Sequence, residues 1–265
     1  EISACLVGSE MCIRDRSRHL SLRTANPALQ SDTFRKSMTG SISSDGTMTI
    51  NGVVNKTGLS LLLLIISASI TWSNPALSWL GILGTFTGLI LAVVTIFKPT
   101  ISHLTVPAYA IMQGLFLGLI SRVFENQYPG IAVQAIFLTF GTLGSLLLAY
   151  MSGLIKATEN FKLGIFAATG AIGVLYLINF IMSFFGSGLP VMDINNSSMF
   201  SIGFSLVVVV IASLNLVLDF DFIEEGVEKG APKYMEWYGA FGLMITLVWL
   251  YLEILRLLAK LNSRR

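Results

Sequence analysis

Long apolar runs broken by short polar stretches organise this chain. Seven such runs are visible, at 58–72, 76–97, 104–121, 131–155, 163–185, 200–218 and 237–258. A membrane-spanning helix needs about 20 mostly apolar residues, whereas a spanning strand needs about 10. Hydrocarbon offers the backbone no hydrogen-bond partner, so segments of this length must satisfy their own amides as helices. The pattern therefore predicts an all-α polytopic membrane protein, a seven-transmembrane-helix bundle. The first run is the shortest, and Asn55 and Thr57 are polar positions through which its helix could extend.

Composition agrees with this reading. The 265 residues are 54% hydrophobic and only 12% charged, and mean hydropathy is +0.74. Net charge is +2, and the basic residues are scattered and form no stripe, which excludes nucleic acid as a partner. With the N-terminus in the cytoplasm, that side collects Arg18, Arg23, Arg35, Lys36, Lys56, Lys98, Lys156, Lys162, Lys229 and Lys233, against Arg122 and a C-terminal group on the other. This bias predicts a cytoplasmic N-terminus. The C-terminal group of Arg256, Lys260, Arg264 and Arg265 pulls the other way, toward a missing or re-entrant span.

Residues 1–16, EISACLVGSEMCIRDR, resemble translated adapter or read-through sequence and lack the apolar core of a signal peptide. They are read as a non-native leader. Both cysteines, Cys5 and Cys12, lie there, so the rest of the chain has no thiol for a disulfide, nucleophile or metal site. Residues 17–54 are polar and read as a flexible cytoplasmic tail, in which 47–50 and Asn51-Gly52 could make one short strand and turn. The transmembrane domain is then 55–261.

Glycines recur at close-packing spacing, at Gly84/Gly88, Gly114/Gly118, Gly141/Gly144, Gly170/Gly173 and Gly239/Gly242. Such pairs let helix backbones approach in lipid. Enzyme chemistry finds little support. His19 falls in the tail and His103 in a short loop, so neither a metalloprotease motif nor a serine–histidine dyad assembles, and no glycine loop cradles phosphate. No enzyme activity and no cofactor are expected. Lys98 and Lys156 close spans and serve as interfacial anchors.

Acidic residues are the informative exception. Asp219 ends the sixth run and Glu253 interrupts the seventh, and a carboxylate at membrane depth costs roughly 2.5–3.5 kcal/mol on insertion scales. Asp219 lies toward the end of its run, where the helix dipole disfavours an anion. Asp221, Glu224, Glu225 and Glu228 follow, and with Glu236 they give the connection a net negative charge that attracts cations. If runs six and seven are antiparallel neighbours, Asp219 and Glu253 could meet and share a proton as a latch that loosens or takes a cation when deprotonated. Oxygen ligands suit Ca²⁺, although two carboxylates fall short of its usual six to eight or so oxygens. Asp219 and Glu253 are the candidate cation or proton-sensing residues, with Asp221 the weaker one. The competing reading of Glu253 is an ion pair with Arg256 at i+3.

Five segments carry a family resemblance: IMQGLFLGLIS at 111–121, GIAVQAIFLTFG at 130–141, GLIKATENFKLG at 153–164, LNLVLDFDFI at 214–223 and LYLEILRLL at 250–258. In their order and spacing the chain resembles the Bax inhibitor-like (transmembrane Bax inhibitor motif) family, in its bacterial branch, over about 56–261. The resemblance implies seven helices with a central last one, a bacterial cytoplasmic (inner) membrane, and a pH-sensitive Ca²⁺ leak channel whose sensor pair falls on Asp219 and Glu253. Two departures stand out. Glu253 occupies a position where the family has Asp, and the link from 219 to 253 is longer, with Pro232 placed to start a short interfacial helix carrying Tyr234, Trp237 and Tyr238. Expected partners are membrane lipid and cations. The alternative function is a non-transporting stress regulator that binds a membrane protease or another regulatory protein through the tail.

Overall fold

The computed structural model describes residues 46–186, 188–194 and 196–264. The leader at 1–16, the tail as far as residue 45 and His19 lie outside them. Among the described residues seven long helices follow one another: α1 Ile50–Ser73, α2 Ser78–Phe97, α3 Ser102–Gln127, α4 Ile131–Met151, α5 Glu159–Phe184, α6 Met199–Glu228 and α7 Met235–Asn262. Each is long and apolar enough to cross a membrane. Single 3-10 turns led by Pro75, Pro99 and Pro190 precede α2, α3 and the α6 loop, where a fixed φ and a missing N–H suit a first helical turn.

Helix α7 forms the core of the bundle. In its most apolar stretch 67% of residues are buried, against 11% for α5 at the rim. It packs against α6, α1, α4 and α3, as the resemblance implied for a central last helix. With seven spans, α1, α3, α5 and α7 run one way and α2, α4 and α6 return. The face where α1 starts, here the N-terminal face, also carries the α6–α7 turn.

Glycine explains part of the packing. At Gly114 and Gly118 an added Cβ would collide with the Leu64 and Ala68 carbonyls and with the Ser67 and Thr71 hydroxyls, so α1 lies backbone to backbone on α3. Thr71 then reaches across to donate to the Leu115 carbonyl at 2.9 Å. Gly84 does the same for α2 against the Met112 carbonyl. Gly141, Gly144, Gly170 and Gly173 face open space. Their spacing copies a packing motif on helices whose outer faces meet no neighbour within the chain.

Three local expectations change. The strand and turn at 47–52 is instead the start of α1: Thr49 caps it, accepting from the Gly52 amide at 3.0 Å. Only Thr47 keeps an extended partner, bridging to Pro232. Helix α6 does not end at Leu218 but continues to Glu228, which makes Asp219 an interior residue and turns the acidic stretch into a helix face. Pro232 starts no separate helix. Tyr238 is buried inside α7, while Trp237 lies under the Lys56 ammonium, 5.5 Å from its ring centre.

Two of the four C-terminal charges that argued against seven spans are accounted for. Lys260 has no exposed surface, and Arg256 is paired to Glu253 within α7. Neither is a loop charge of the kind the orientation rule counts.

Candidate functional site

The two candidate carboxylates sit on the α6–α7 hairpin, and contacts across it fix the register. A Cβ on Gly239 would lie 3.3 Å from the Ile223 side chain. Near the other end, the Lys260 ammonium donates to the Ser205 hydroxyl at 2.9 Å and to the Ser201 carbonyl at 3.4 Å. Mates therefore lie symmetrically about Ala231, which puts Asp219 level with Leu243 and Glu253 level with Val209. The axial offset is ten or so residues, about 15 Å at 1.5 Å per residue.

The expected meeting of Asp219 and Glu253 at one depth is thus replaced by two levels. The physical reason is the unequal lengths of chain on either side of the turn. The chain after Asp219 continues α6 through Glu228, and Glu253 is carried into the half of the bundle away from the N-terminal face.

Glu253 is 2% exposed and well provided with donors. Nη1 of Arg256 lies 2.9 and 3.0 Å from its two oxygens, and the Tyr176 hydroxyl from α5 donates to it as well. Arg256 also donates to the Tyr176 oxygen at 3.0 Å and lies over that ring at 5.5 Å. The i+3 ion pair weighed from sequence is therefore present, but buried and joined to a tyrosine.

Asp219 is 1% exposed. Its level is shared by α1: Val53 packs beside Gly239, and α1 runs parallel to α7, so Thr57 and Ser60 fall close to the height of Leu243. Among the described residues, the buried hydroxyls of Thr57 and Ser60 have no hydrogen-bond partner. A hydroxyl buried at membrane depth without a partner is costly, and a carboxylate at the same level is costlier still.

Asp221 points elsewhere. It pairs with Lys162 of α5 at 2.5 Å, and Glu159 lies 3.8 Å from the same ammonium. Asp221, Glu224, Glu225 and Glu228 recur at helical spacing on one face of α6 and, with Lys162, line a cavity of about 340 Å³ at the N-terminal face. Tyr150 donates to Glu224, and Lys229 pairs with Glu225. Among the described residues, no group of three or more His, Asp or Glu side chains is arranged to hold a metal ion. His103 is exposed in the first turn of α3.

Several ionic residues were not legible as site residues. Lys162 reads as a loop cation in the sequence, yet it is 8% exposed against Asp221. Glu236 reads as part of the acidic connection, but it accepts from the Thr49 amide at 3.0 Å and hydroxyl at 2.9 Å and pairs with Lys56. Lys260 carried a usable signal, because it is flanked by Leu257, Leu258, Ala259 and Leu261. Tyr176 carried none, since its role depends on α5 packing beside the hairpin.

Comparison with known proteins supplies the family. A family model described as Bax inhibitor 1 like matches residues 26–263, nearly the whole chain, and the chain belongs to that family. No curated protein and no solved structure matches it.

Proposed function

We propose that this Bax inhibitor 1 like membrane protein is a proton-responsive cation leak, with Ca²⁺ the leading candidate ion, in a bacterial cytoplasmic membrane with the N-terminus inside. The observation that carries the reading is the Asp219 carboxylate, buried at membrane depth in α6 with two unsatisfied α1 hydroxyls at its level. The acidic face from Asp221 to Glu228 draws cations to the entrance, because clustered charge of one sign raises the local counter-ion concentration. Asp219 receives the ion beyond it. An ionised carboxylate attracts a cation and a protonated one does not, so flux falls as pH drops.

Glu253 has a different part from the one its pairing with Asp219 would have given it. Its charge is offset by Arg256, and Lys260 follows one turn on, so this half of the hairpin repels cations in the described conformation. Two carboxylates at separate heights act as two stations: Asp219 accepts the ion, and Glu253 passes it only when Arg256 swings aside.

The test is Ca²⁺ uptake into dye-loaded vesicles over a pH series. Asp219→Asn should lower flux and flatten its pH dependence, while Asp219→Glu retains part of both. Wild type and Asp219→Asn giving the same flux at every pH would sink the proposal.

A further inference from the structure

A second cavity, of about 460 Å³, opens sideways at membrane depth between α1 and α4. Its volume falls in the range of about 300–1,000 Å³ typical of small-molecule sites. Ile65 and Trp72 of α1 form one wall, and Val133 and Ile136 of α4 form the other. The floor is the Ser121–Tyr251 contact between α3 and α7, whose hydroxyls lie 2.6 Å apart. Ile65 and Ile136 are 52% and 45% exposed, whereas Ser121 and Tyr251 are each 7% exposed. The cavity is therefore a deep apolar cleft whose lips face lipid. Both floor hydroxyls are satisfied within the protein, Ser121 donating to the Leu117 carbonyl at 2.5 Å and Tyr251 to Ser121, and ask nothing polar of an occupant.

The cleft runs from mid-membrane to the face opposite the N-terminal one. There Trp72 stands at the depth where aromatic residues meet headgroups. Arg122, one helical position beyond Ser121, donates to the Trp72 carbonyl at 3.1 Å. That acceptor is neutral, and no ion pair is formed by Arg122 among the described residues. The neighbouring Glu125 is turned away, accepting from the Gly130 and Ala132 amides at 2.6 and 3.1 Å to cap α4. An apolar slot with a cation beside its end matches one molecule abundant at this depth. Its shape and charge suit an acyl chain below a phosphate.

We infer that the α1–α4 cleft is a binding site for a membrane phospholipid, with an acyl chain in the slot and the anionic phosphate on Arg122. The occupant lies against Tyr251 of the central helix, so it contacts the element on which Glu253 is carried without touching either candidate carboxylate.

The full chain is reconstituted in vesicles of phosphatidylcholine and phosphatidylglycerol containing a trace of phosphatidylglycerol with a diazirine midway along one acyl chain. After photolysis, adducts are mapped by mass spectrometry. Adducts should concentrate on Ile65, Val133, Ile136 and Tyr251 relative to Phe86 and Leu89 on the outer face of α2. Ile136→Trp, or Ile65→Trp as a second blocking change at an exposed position, should remove the excess in the cleft and leave α2 labelling unchanged. Arg122→Gln should lower cleft labelling about fivefold, the value of one interfacial cation. Equal labelling of cleft and α2, or no response to either tryptophan, would overturn the inference. It is equally overturned if a diazirine fatty acid labels the cleft as well as the phospholipid does and independently of Arg122, or if the cleft cross-links to a second copy of the chain. Ca²⁺ flux enters none of these readouts, so the leak and the lipid site stand or fall separately.

Discussion

Replacing Arg256 by methionine removes the cation from a carboxylate that cannot reach water. Both Glu253 oxygens lie within 3.0 Å of Nη1 of Arg256, and the Glu253 side chain is 3% exposed. Breaking a buried pair from one side costs about 3–5 kcal/mol, because the remaining charge is left uncompensated. Arg256 itself is 28% exposed, and Tyr176 continues to donate to Glu253. Both features favour the lower end, so the expected cost is about 3 kcal/mol.

Glu253→Gln leaves an arginine that can turn toward solvent, and its expected cost is smaller, about 1–2 kcal/mol. When Glu253→Gln and Arg256→Met are combined in one chain, no charge is stranded. The loss in that double variant should therefore be less than the sum of the singles, with a coupling of about 1–3 kcal/mol. Thermal unfolding of the purified protein in detergent, followed by tryptophan fluorescence, reads the order. For a domain of this size about 3 kcal/mol corresponds to roughly 6–12 °C. Additive single changes, or Arg256→Met costing no more than Glu253→Gln, would refute the account of a carboxylate that depends on its buried partner.

Other outcomes follow from the same geometry. Lys260→Met strands the Val191 carbonyl and the Ser205 hydroxyl, acceptors at 2.7 and 2.9 Å. It should cost about 1–3 kcal/mol and speed amide exchange around Met192 and Ser201. Glu236→Gln removes the Lys56 ion pair and weakens the bonds that hold Thr49. It should loosen the start of α1 by about 1–2 kcal/mol, read as faster proteolysis near Met48. Gly118→Ala drives a methyl into the Ala68 carbonyl, whereas Gly141→Ala meets open space. The first should destabilise by about 1–3 kcal/mol and the second should be neutral or stabilise by up to about 1 kcal/mol, as thermal unfolding of the two variants will show.

Much of this molecule was already present in one dimension. Hydrophobic length alone determined seven helices, because an apolar segment of that size has no other way to satisfy its amides in hydrocarbon. Segment order and motif spacing pointed to the family, and the isolated carboxylates at 219 and 253 were visible as costly. Periodicity could not see where polar residues continue a helix. Asp219 looked terminal because hydropathy stops at Leu218, yet backbone hydrogen bonding does not, and α6 carries its acids on through Glu228.

Only the tertiary structure decided which charges meet. The register of α6 against α7 is set by packing at Gly239 and by Lys260 reaching Ser205, both contacts between residues far apart in sequence. That register separates Asp219 from Glu253, while the packing of α5 and α1 beside the hairpin brings Tyr176 to Glu253, Lys162 to Asp221 and Lys56 to Glu236. Glycine spacing behaved in the same way: Gly118 and Gly141 look alike along the chain, but only the first has a helix against it. Burial in lipid is a property a sequence can declare, because each residue contributes its own transfer free energy. Pairing depends on the relative heights and rotations of helices, and those come from the sum of contacts over the whole bundle.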